Sequence, residues 1–399
     1  MYAEKTLRLN NMDEVILIIN AGSSSIKFSL FSHVALTLIY HGEVKHMIEK
    51  PELTVFNAQR SQIVKESIPA PGYESALSTL FNWLENAPGY FVLKAVGHRV
   101  VHGGTYFSAP SVITKDVIKK IESLNFLAPL HQPHNLEAIK IIDVLYPSLL
   151  QVACFDTTFH KTQDKLATLF AIPKALSSEG IIRYGFHGIS YEYIASVLPD
   201  YLKDKADGKV IVAHLGQGAS MCAMKNCKSV ATSMGFTALD GLMMGSRCGA
   251  IDPGVILYLL QEKKYTVEEV TRLLYHKSGL LGVSGISSDM RELQLSSDPN
   301  ALLAIDLFCY RAARELCALC VNLQGCDAFI FTAGIGENSA VIRKKIGERL
   351  AWLGVVLDEC SNNNNSPIIS HDTSSIVVGV IPTDEEYMIA KHTVDKILA

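Results

Sequence analysis

Short apolar runs alternate with longer amphipathic segments along the chain. Each apolar run has the length of a buried strand and is followed by a glycine-rich or polar break, whereas the amphipathic segments repeat their apolar positions at helical spacing. The predicted strands cover residues 15–19, 210–213, 328–332 and 376–381. The clearest predicted helices cover residues 115–124, 135–145, 266–275 and 301–323. This alternation predicts a layered α/β fold with functional sites at the ends of strands.

Length and composition add a domain count and exclude some partners. A chain of 399 residues is too long for one hydrophobic core, so we expect two domains. The net charge of −4 and the scattered basic residues argue against binding to nucleic acid. The small basic group at 343–345 is expected on a solvated helix face, and the polar run SNNNNSP at 361–367 predicts a surface loop.

The nine cysteines do not have the spacing of a disulfide framework. Cys317, Cys320 and Cys326 lie in or beside a strongly apolar helical pattern, which favours packing over zinc or redox chemistry. The first dozen residues are polar and are expected to form an extension before the first strand. The run VILII at 15–19 is too short for a signal sequence or a membrane span. We therefore expect a cytoplasmic protein without membrane interactions.

Three strands each run into a loop that combines glycine with hydroxyl groups. The loops are NAGSSSIKF (20–28), HLGQGAS (214–220) and TAGIGENS (332–339). Glycine lets backbone N–H groups approach an anion, while serine hydroxyls and Lys27 add donors and charge. For the first loop alone, a hairpin turn before IKFSLF is an equal alternative. No loop fits a Walker A or Rossmann fingerprint, so a nucleotide gripped by several loops explains the set better.

Longer motifs then connect the whole chain to one family. NAGSSSIKF, GHRVVHGG, APLHQPHN, FDTTFH, RYGFHG, HLGQGAS, GLMMGSR, SGLLGVSGISSDMR and FTAGIGENS follow one another across nearly all of it. Together they resemble the acetate kinase family, which includes the propionate kinases. The resemblance implies an α/β fold of two related actin-like (ribonuclease H-like) domains with a nucleotide cleft between them, and a homodimer. One domain would comprise residues 1–158 plus 385–399, and the other, which binds the nucleotide, residues 159–384.

The reaction that the resemblance implies is reversible transfer of the γ-phosphoryl group of ATP to acetate or propionate, giving an acyl phosphate and ADP. A carboxylate with a pKa of about 4 is already ionised at neutral pH, so it needs no base. Positive charge around the phosphoryl group is what helps. By resemblance, Arg99 and Arg247 hold the carboxylate and the transferring group, and His187 stabilises the transition state. Asp156 matches a position described as proton donor or acceptor, but we expect it to orient an arginine, a histidine or a metal-bound water.

The resemblance also implies binding residues. Mg²⁺, with Mn²⁺ as an alternative, would be held by Asn20 and Glu385, and the adjacent Glu386 is not separated from Glu385 by the sequence. The acidic first turn of a final helix is the plainer interpretation of these carboxylates. The phosphates would contact Lys27, His214, Leu215, Gly216, Gln217 and Gly218. The adenosine would contact Asp289, Met290, Arg291, Gly334, Ile335, Gly336, Glu337 and Asn338. The walls of a small apolar acyl pocket would be Val101, Leu130 and Phe186, with His131 a further candidate for the site or a structural partner.

Three departures from the family pattern leave the acyl preference open. Gln217 stands in the place of an asparagine, Ala238 in that of a proline at the acyl pocket, and Ala250 in that of an acidic residue near Arg247. One methylene in an apolar pocket changes preference by only about 1–3 kcal/mol, so acetate and propionate are not distinguished. The alternatives are a sugar or polyol kinase with Asp156 as base, and an actin- or chaperone-like ATPase.

Overall fold

The computed structural model describes residues 13–89 and 91–399 of the chain. Its backbone divides into two compact units, the first comprising Met1–Thr158 with Asp384–Ala399 and the second Phe159–Thr383. The domain boundaries expected after residues 158 and 384 stay predictions. The predicted N-terminal extension lies outside the described residues.

Strands and helices alternate through both units. The strands of the described residues are β1 (Asp13–Ala21), β2 (Ile26–Ser32), β3 (Leu38–Lys45), β4 (Glu52–Asn57), β5 (Gln62–Ser67), β6 (Phe91–Val100), β7 (Ser111–Val112), β8 (Leu150–Phe155), β9 (Val210–Leu215), β10 (Ala219–Lys225), β11 (Lys228–Thr232), β12 (Ala328–Thr332) and β13 (Val377–Val380). The helices are α1 (Tyr73–Asn86), α2 (Lys115–Glu122), α3 (Gln132–Leu145), α4 (Lys165–Thr168), α5 (Lys174–Ser178), α6 (Gly188–Leu202), α7 (Pro253–Gln261), α8 (Val267–His276), α9 (Gly279–Ser284), α10 (Met290–Leu295), α11 (Pro299–Leu323), α12 (Ala333–Asn338), α13 (Ala340–Arg349), α14 (Glu359–Asn363) and α15 (Glu385–Leu398). Within this part of the chain, no helix has both the length and the apolar character needed to cross a membrane.

The two units repeat one sheet topology. The first sheet has the order β5-β4-β3-β2-β1-β6-β8-β7 and the second β11-β10-β9-β12-β13. In each, an antiparallel meander of three strands continues into two strands parallel to its first member. The shared order 3-2-1-4-5 relates the units, although the sequence contains no visible repeat. The predicted α/β class with two related domains agrees with this arrangement.

Three of the four predicted strands become the central, fully buried strands β1, β9 and β12, while the run 376–381 contains β13, at the edge of the second sheet. All five residues of the run 15–19 in β1 are at most 1% exposed, and every residue of β9 and of β12 is buried. A strand covered on both faces reads as a continuous apolar run, because neither face meets water. This burial explains why these strands were easier to predict than the half-exposed β3, β4 and β5.

A glycine allows β6 and α15 to pack in direct contact. A Cβ atom at Gly97 would lie 2.4 Å from Thr393 Oγ1 and 2.7 Å from Ile389 Cγ2. Any larger residue would therefore push the helix off the sheet. The close packing places Glu385, one turn before Ile389, near Arg99, two residues after Gly97.

Two predictions about the surface are wrong in part. Arg343 is fully buried instead of lying on a solvated helix face, although its neighbour Lys344 is exposed. The predicted loop at 361–367 overlaps α14, and its Asn362 is only 2% exposed. Both errors have one cause, because Asn362 accepts hydrogen bonds from the Arg343 guanidinium.

Candidate active site

The first group of predicted residues lies at one edge of the first unit's sheet. Because β1, β6 and β8 are parallel, their carboxyl ends meet at the same edge. Asn20 lies near the end of β1, Arg99 near the end of β6, and Asp156 directly after β8. Lys27 on β2 is the cross-strand partner of Asn20 and is exposed. The first glycine loop joins β1 to β2, so it also forms the hairpin turn that was the alternative interpretation of this segment.

Arg99 and Asp156 form a bidentate ion pair. Arg99 Nη2 donates to Asp156 Oδ2 at 2.7 Å, and Arg99 Nε lies 3.1 and 3.2 Å from the two carboxylate oxygens. Burial alone would lower the pKa of Arg99, but the charges of Asp156 and Glu385 outweigh it and raise that pKa. The guanidinium therefore stays charged, and its orientation is set by a carboxylate that is 2% exposed.

The start of α15 adds three carboxyl groups to this edge. Asp384 caps the helix by accepting a hydrogen bond from the backbone N–H of Tyr387 at 2.8 Å. Glu385 Oε2 lies 3.8 Å from Arg99 Nε. Burial, with the Glu385 charge second, raises the pKa of Glu386, while Lys27 opposes that rise. The acidic first turn of the final helix is therefore present, whereas a role for Glu385 or Glu386 in binding a metal stays a prediction.

Two buried amides on α3, which the sequence did not single out, hold the loop after β6. Gln132 Oε1 accepts from the backbone N–H of His102 at 3.1 Å, and Gln132 Nε2 donates to the His102 carbonyl at 2.9 Å. Asn135 Oδ1 accepts from the Val101 N–H at 3.1 Å, while its Nδ2 donates to the Ala21 carbonyl at 2.7 Å. Asn135 thus ties the ends of β1 and β6 together. Both amides belong to the motif APLHQPHN, which was the available signal.

The predicted acyl-pocket residues are divided between the two units. Val101 follows β6, while Leu130 and His131 immediately precede α3, and all three are half-buried. Phe186 belongs to the second unit and is 1% exposed. Its carbonyl oxygen accepts a hydrogen bond from His160 Nε2 at 2.9 Å, which fixes the backbone just before His187. A role for these four residues in binding substrate stays a prediction.

In the second unit, His187 and His214 form a stacked pair. His187 adopts a left-handed backbone conformation, with φ of 57°, at the start of α6. Its ring lies parallel to that of His214, with 4.2 Å between centroids and 15° between planes. Each ring binds a serine hydroxyl through Nδ1 at 2.8 Å, His187 to Ser220 and His214 to Ser190. Because His214 and Ser220 are cross-strand partners on β9 and β10, the sheet itself aligns the pair.

The loop Gly216–Gly218 connects β9 to β10 beside these rings. A Cβ atom at Gly218 would lie 3.2 Å from His187 Nε2 and 3.9 Å from Arg247 Nη1. The same Nη1 atom of Arg247 donates a hydrogen bond to the Ala238 carbonyl at 2.9 Å, which holds the guanidinium in place. One face of Gly218 therefore adjoins both His187 and Arg247, the two groups of the second unit that were predicted to contact the phosphoryl group. These two residues lie 60 positions apart in the sequence.

A cavity of about 540 Å³ in the second unit brings together eight of the residues predicted to contact the nucleotide. Those eight are Gly216, Gln217, Asp289, Met290, Arg291, Gly334, Ile335 and Asn338. The cavity is also lined by Ser288, Gln294 and Ser339, of which the first and third lie inside quoted motifs. Strands β9 and β12 are neighbours, so the loops that follow them necessarily lie side by side.

Some predicted contacts do not line this cavity. Glu337 Oε1 accepts hydrogen bonds from the backbone N–H groups of Ala333 at 2.8 Å and Thr383 at 3.1 Å. Its carboxylate therefore braces the turn after β12. Leu215 and Gly336 are buried. Asp289 and Arg291 do line the cavity, and they form a bidentate pair with each other, with Nη2 to Oδ2 at 2.6 Å. Their contact with a nucleotide stays a prediction.

Comparison with known proteins decides the family. Residues 15–391 match the Acetokinase family. The chain belongs to this family. An acetate kinase of Rhodopseudomonas palustris (strain TIE-1) is 52% identical over 389 residues, which cover 96% of this chain and 98% of the relative. The expected family, and with it the enzyme class of a kinase, is confirmed.

Solved structures of the acetokinase family agree with the fold. A propionate kinase from Francisella tularensis subsp. tularensis SCHU S4 has a TM-score of 0.89 at 38% identity, covering 95% of this chain and 98% of its own. The acetate kinase of Porphyromonas gingivalis has a TM-score of 0.88 at 35% identity, covering 97% and 100%. The predicted fold class is therefore confirmed.

Proposed function

We propose that this chain is an acetate kinase, which transfers the γ-phosphoryl group of ATP to acetate and forms acetyl phosphate and ADP reversibly. The observation that carries the proposal is the position of His187 Nε2 and Arg247 Nη1 on one face of Gly218. The neighbouring Gly216 and Gln217 line the 540 Å³ cavity, so the same short loop adjoins both groups and a space for a nucleotide. Such a loop would hold the polyphosphate with its γ-phosphoryl group toward His187 and Arg247.

The chemistry requires charge compensation more than proton transfer. Acetate is ionised at neutral pH and attacks as it is. The barrier comes from bringing an anion to a polyanion, and preorganised donors lower it without reorganising during the reaction. His187 and Arg247 would stabilise the oxygens of the transferring group. Arg99 would bind the acetate carboxylate, for which a guanidinium fork is suited.

Asp156 supports a carboxylate acceptor over a sugar. A hydroxyl acceptor would need a general base, whereas the carboxylate of Asp156 is 2% exposed and bound by Arg99 through both oxygens. A base engaged in this way is poorly placed to accept a substrate proton. We therefore assign Asp156 the role of orienting Arg99.

Magnesium is part of the proposal, and the first unit has donors that suit it. Mg²⁺ prefers oxygen ligands, takes few of them from protein and keeps several waters or phosphate oxygens. The Asn20 amide oxygen and the Glu385 carboxylate provide such donors, and negative charge crowded at the start of α15 would gain from a cation. The ion, or Mn²⁺ in its place, would neutralise phosphate charge. Replacing Glu385 by Gln should raise the Mg²⁺ concentration needed for activity more than replacing Glu386.

Acetate and propionate differ by one methylene, and acetate is the proposed preference. The relatives named acetate kinase reach 52% identity, while the propionate kinase has 38%. Propionate stays a specific alternative because Ala238, next to Arg247, offers less bulk than a proline. Ala238→Pro should lower kcat/KM for propionate relative to acetate by about tenfold, the effect of one crowded methylene.

A second copy of this chain is the proposed partner, and α7 supplies the argument. None of the nine residues of α7 is buried, although Val255, Leu257 and Tyr258 are large, apolar and 40–53% exposed. A helix with such a surface normally packs against another protein. We propose a homodimer through this face in the cytoplasm, where the nine cysteine thiols would stay reduced. Leu257→Glu should give a monomer in light scattering.

Trapping of the acyl phosphate tests the activity. The purified chain is incubated with Mg-ATP, hydroxylamine and acetate, propionate or butyrate, and kcat/KM is obtained from the acyl hydroxamate. We expect the highest kcat/KM for acetate. Arg247→Ala should lose activity, whereas Arg272→Ala, which replaces an exposed arginine of the same unit, should keep full activity. Absence of hydroxamate from all three acids would overturn the proposal.

A further inference from the structure

Two buried hydroxyl groups lie behind His187. The Oγ atom of Ser220 is 2.8 Å from His187 Nδ1, and the Tyr191 hydroxyl is 2.5 Å from the same Oγ. Both Ser220 and Tyr191 are 0% exposed. Tyr191 lies one helical turn after His187 at the start of α6, and Ser220 lies on β10. The three side chains form a chain of hydrogen bonds from the core to the imidazole.

One direction of proton donation along these hydrogen bonds gives every donor an acceptor. The Tyr191 hydroxyl oxygen accepts a hydrogen bond from the backbone of His214, and burial raises the pKa of Tyr191 well above its usual value. The hydroxyl therefore keeps its proton, and Ser220 Oγ at 2.5 Å is in position to accept it. Ser220 then has its own proton left to donate, and its remaining partner is His187 Nδ1. A neutral imidazole whose Nδ1 accepts must carry its proton on Nε2.

The Nε2 atom is the one that matters for the reaction. It lies 3.2 Å from where a Cβ atom of Gly218 would be, on the glycine face that also adjoins Arg247 Nη1. The stacked ring of His214 holds the imidazole plane in this orientation. The other tautomer would present a lone pair at this face and would repel phosphoryl oxygens.

We propose that Ser220 and Tyr191 are positioning residues that hold neutral His187 as the Nε2–H tautomer, so that it donates a hydrogen bond to the transferring phosphoryl group. The identity of the acceptor group rests on the proposed kinase activity. The tautomer itself is a property of the protein alone and can be measured without substrate.

Nitrogen NMR of protein labelled with ¹⁵N-histidine tests the tautomer directly. Long-range ¹H–¹⁵N spectra distinguish Nε2–H from Nδ1–H rings, and His187→Gln identifies the signals of His187. We expect the Nε2–H pattern in the unaltered protein and a mixture of tautomers in Ser220→Ala. An Nδ1–H pattern in the unaltered protein, or an unchanged pattern in Ser220→Ala, would overturn the proposal.

Kinetics give the second readout. Ser220→Ala should lower kcat for acetyl phosphate formation by about 10–100-fold, while the KM values for ATP and acetate change little. Tyr191→Phe should lower kcat less, because Ser220 keeps its proton, and Ser220→Thr should restore most activity. Ser196→Ala, on the exposed side of α6, is the matched control and should leave kcat unchanged. Equal kcat values in Ser220→Ala and Ser196→Ala would contradict the positioning role, whereas failure of the kinase proposal would leave the NMR result intact.

Discussion

Arg343 donates two hydrogen bonds to Asn362, from Nε to the side-chain oxygen at 2.8 Å and from Nη2 to the backbone carbonyl at 2.6 Å. Its Nη1 donates to the carbonyls of Gly336 and Glu337, both at 2.9 Å, and Nη2 also donates to Asn365 Oδ1 at 2.6 Å. The buried guanidinium therefore joins α14 and the residues just after it to the last turn of α12, the helix whose first residues line the cavity.

Replacing Arg343 by Met should destabilise the second unit and impair nucleotide binding. Burial lowers the pKa of Arg343 to about 10, so the group stays charged at neutral pH and its five acceptors depend on it. Leaving buried carbonyl and amide oxygens without donors costs about 1–3 kcal/mol each, so the loss of unfolding free energy should exceed about 3 kcal/mol. Urea denaturation measures it, with Lys344→Met, an exposed neighbour, as control. Equal stability of the two variants would contradict this role.

The burial of Arg343 also illustrates what could not be predicted from the sequence. The runs at 15–19 and 328–332 predicted strands correctly, because a strand buried on both faces is apolar throughout. The group at 343–345 was expected on the surface, since local pattern does not reveal acceptors about 20 residues further along. Its burial depends on Asn362 and Asn365, which composition alone assigned to a loop.

The same limit applies to the candidate site. Motifs indicated Gly216, Asp289 and Gly334 separately, and the adjacency of β9 and β12 explains how two of the three come to one cavity. The amides of Gln132 and Asn135 were not singled out, because their role is to bind backbone groups some 30 to 114 residues away. Sequence patterns indicate chemistry at a position, whereas supporting contacts of this kind appear only in the folded chain.

Asp156→Asn should reduce kcat/KM for acetate at least about 100-fold. The amide keeps the shape but loses the charge that orients Arg99, and breaking a buried ion pair typically costs about 3–5 kcal/mol. We therefore expect reduced stability as well as reduced activity. Asp395→Asn, in an exposed pair with Lys391 of the same unit, is the matched control and should change neither. Activity within a few-fold of the unaltered chain would argue against an electrostatic role for Asp156.

Gly218→Ala should lower kcat while the fold is kept. Gly218 does not need a left-handed conformation, but its new methyl group would lie 3.2 Å from His187 Nε2. The imidazole would have to shift by a few tenths of an ångström, and since a displacement of about 1 Å can cost about 100-fold in rate, we expect a smaller loss. In Gly216→Ala the methyl group would lie away from His187, so that variant should change the KM for ATP instead. A full kcat in Gly218→Ala, measured at saturating ATP, would show that this glycine face is not used.

Stability should fall as the pH drops from 7 to 5. Burial lowers the pKa of His98 and of His160 to about 4, against an ordinary value of 6.5. Below pH 6.5 these histidines are protonated in the unfolded chain but stay neutral in the folded chain. The free energy of unfolding that they contribute above pH 6.5 is therefore lost as the pH approaches 4. At pH 5 each histidine should account for a loss on the order of 2 kcal/mol.

Urea denaturation at both pH values measures this dependence. His98→Gln removes one of the two titrating groups, so the loss between pH 7 and pH 5 should shrink by about half. His276→Gln, an exposed histidine on α8, should leave the loss unchanged. The same pH dependence in both variants would mean that other groups govern the acid sensitivity.

The cavity in the second unit is tested by filling it. A Cβ atom at Gly334 would meet nothing within 4 Å, and Gly334 lies at the start of α12 without a left-handed backbone, so larger residues fit there without strain. The leucine side chain of Gly334→Leu would occupy part of the 540 Å³ cavity. A nucleotide could then not take up its full contacts with the cavity walls, so the KM for ATP should rise about tenfold or more. The KM for acetate and the melting temperature should stay unchanged. Gly334→Ala makes the same backbone change without the bulk and serves as the matched control. Calorimetric titration with ATP separates binding from catalysis, and equal affinities of the Leu and Ala variants would mean that the nucleotide binds elsewhere.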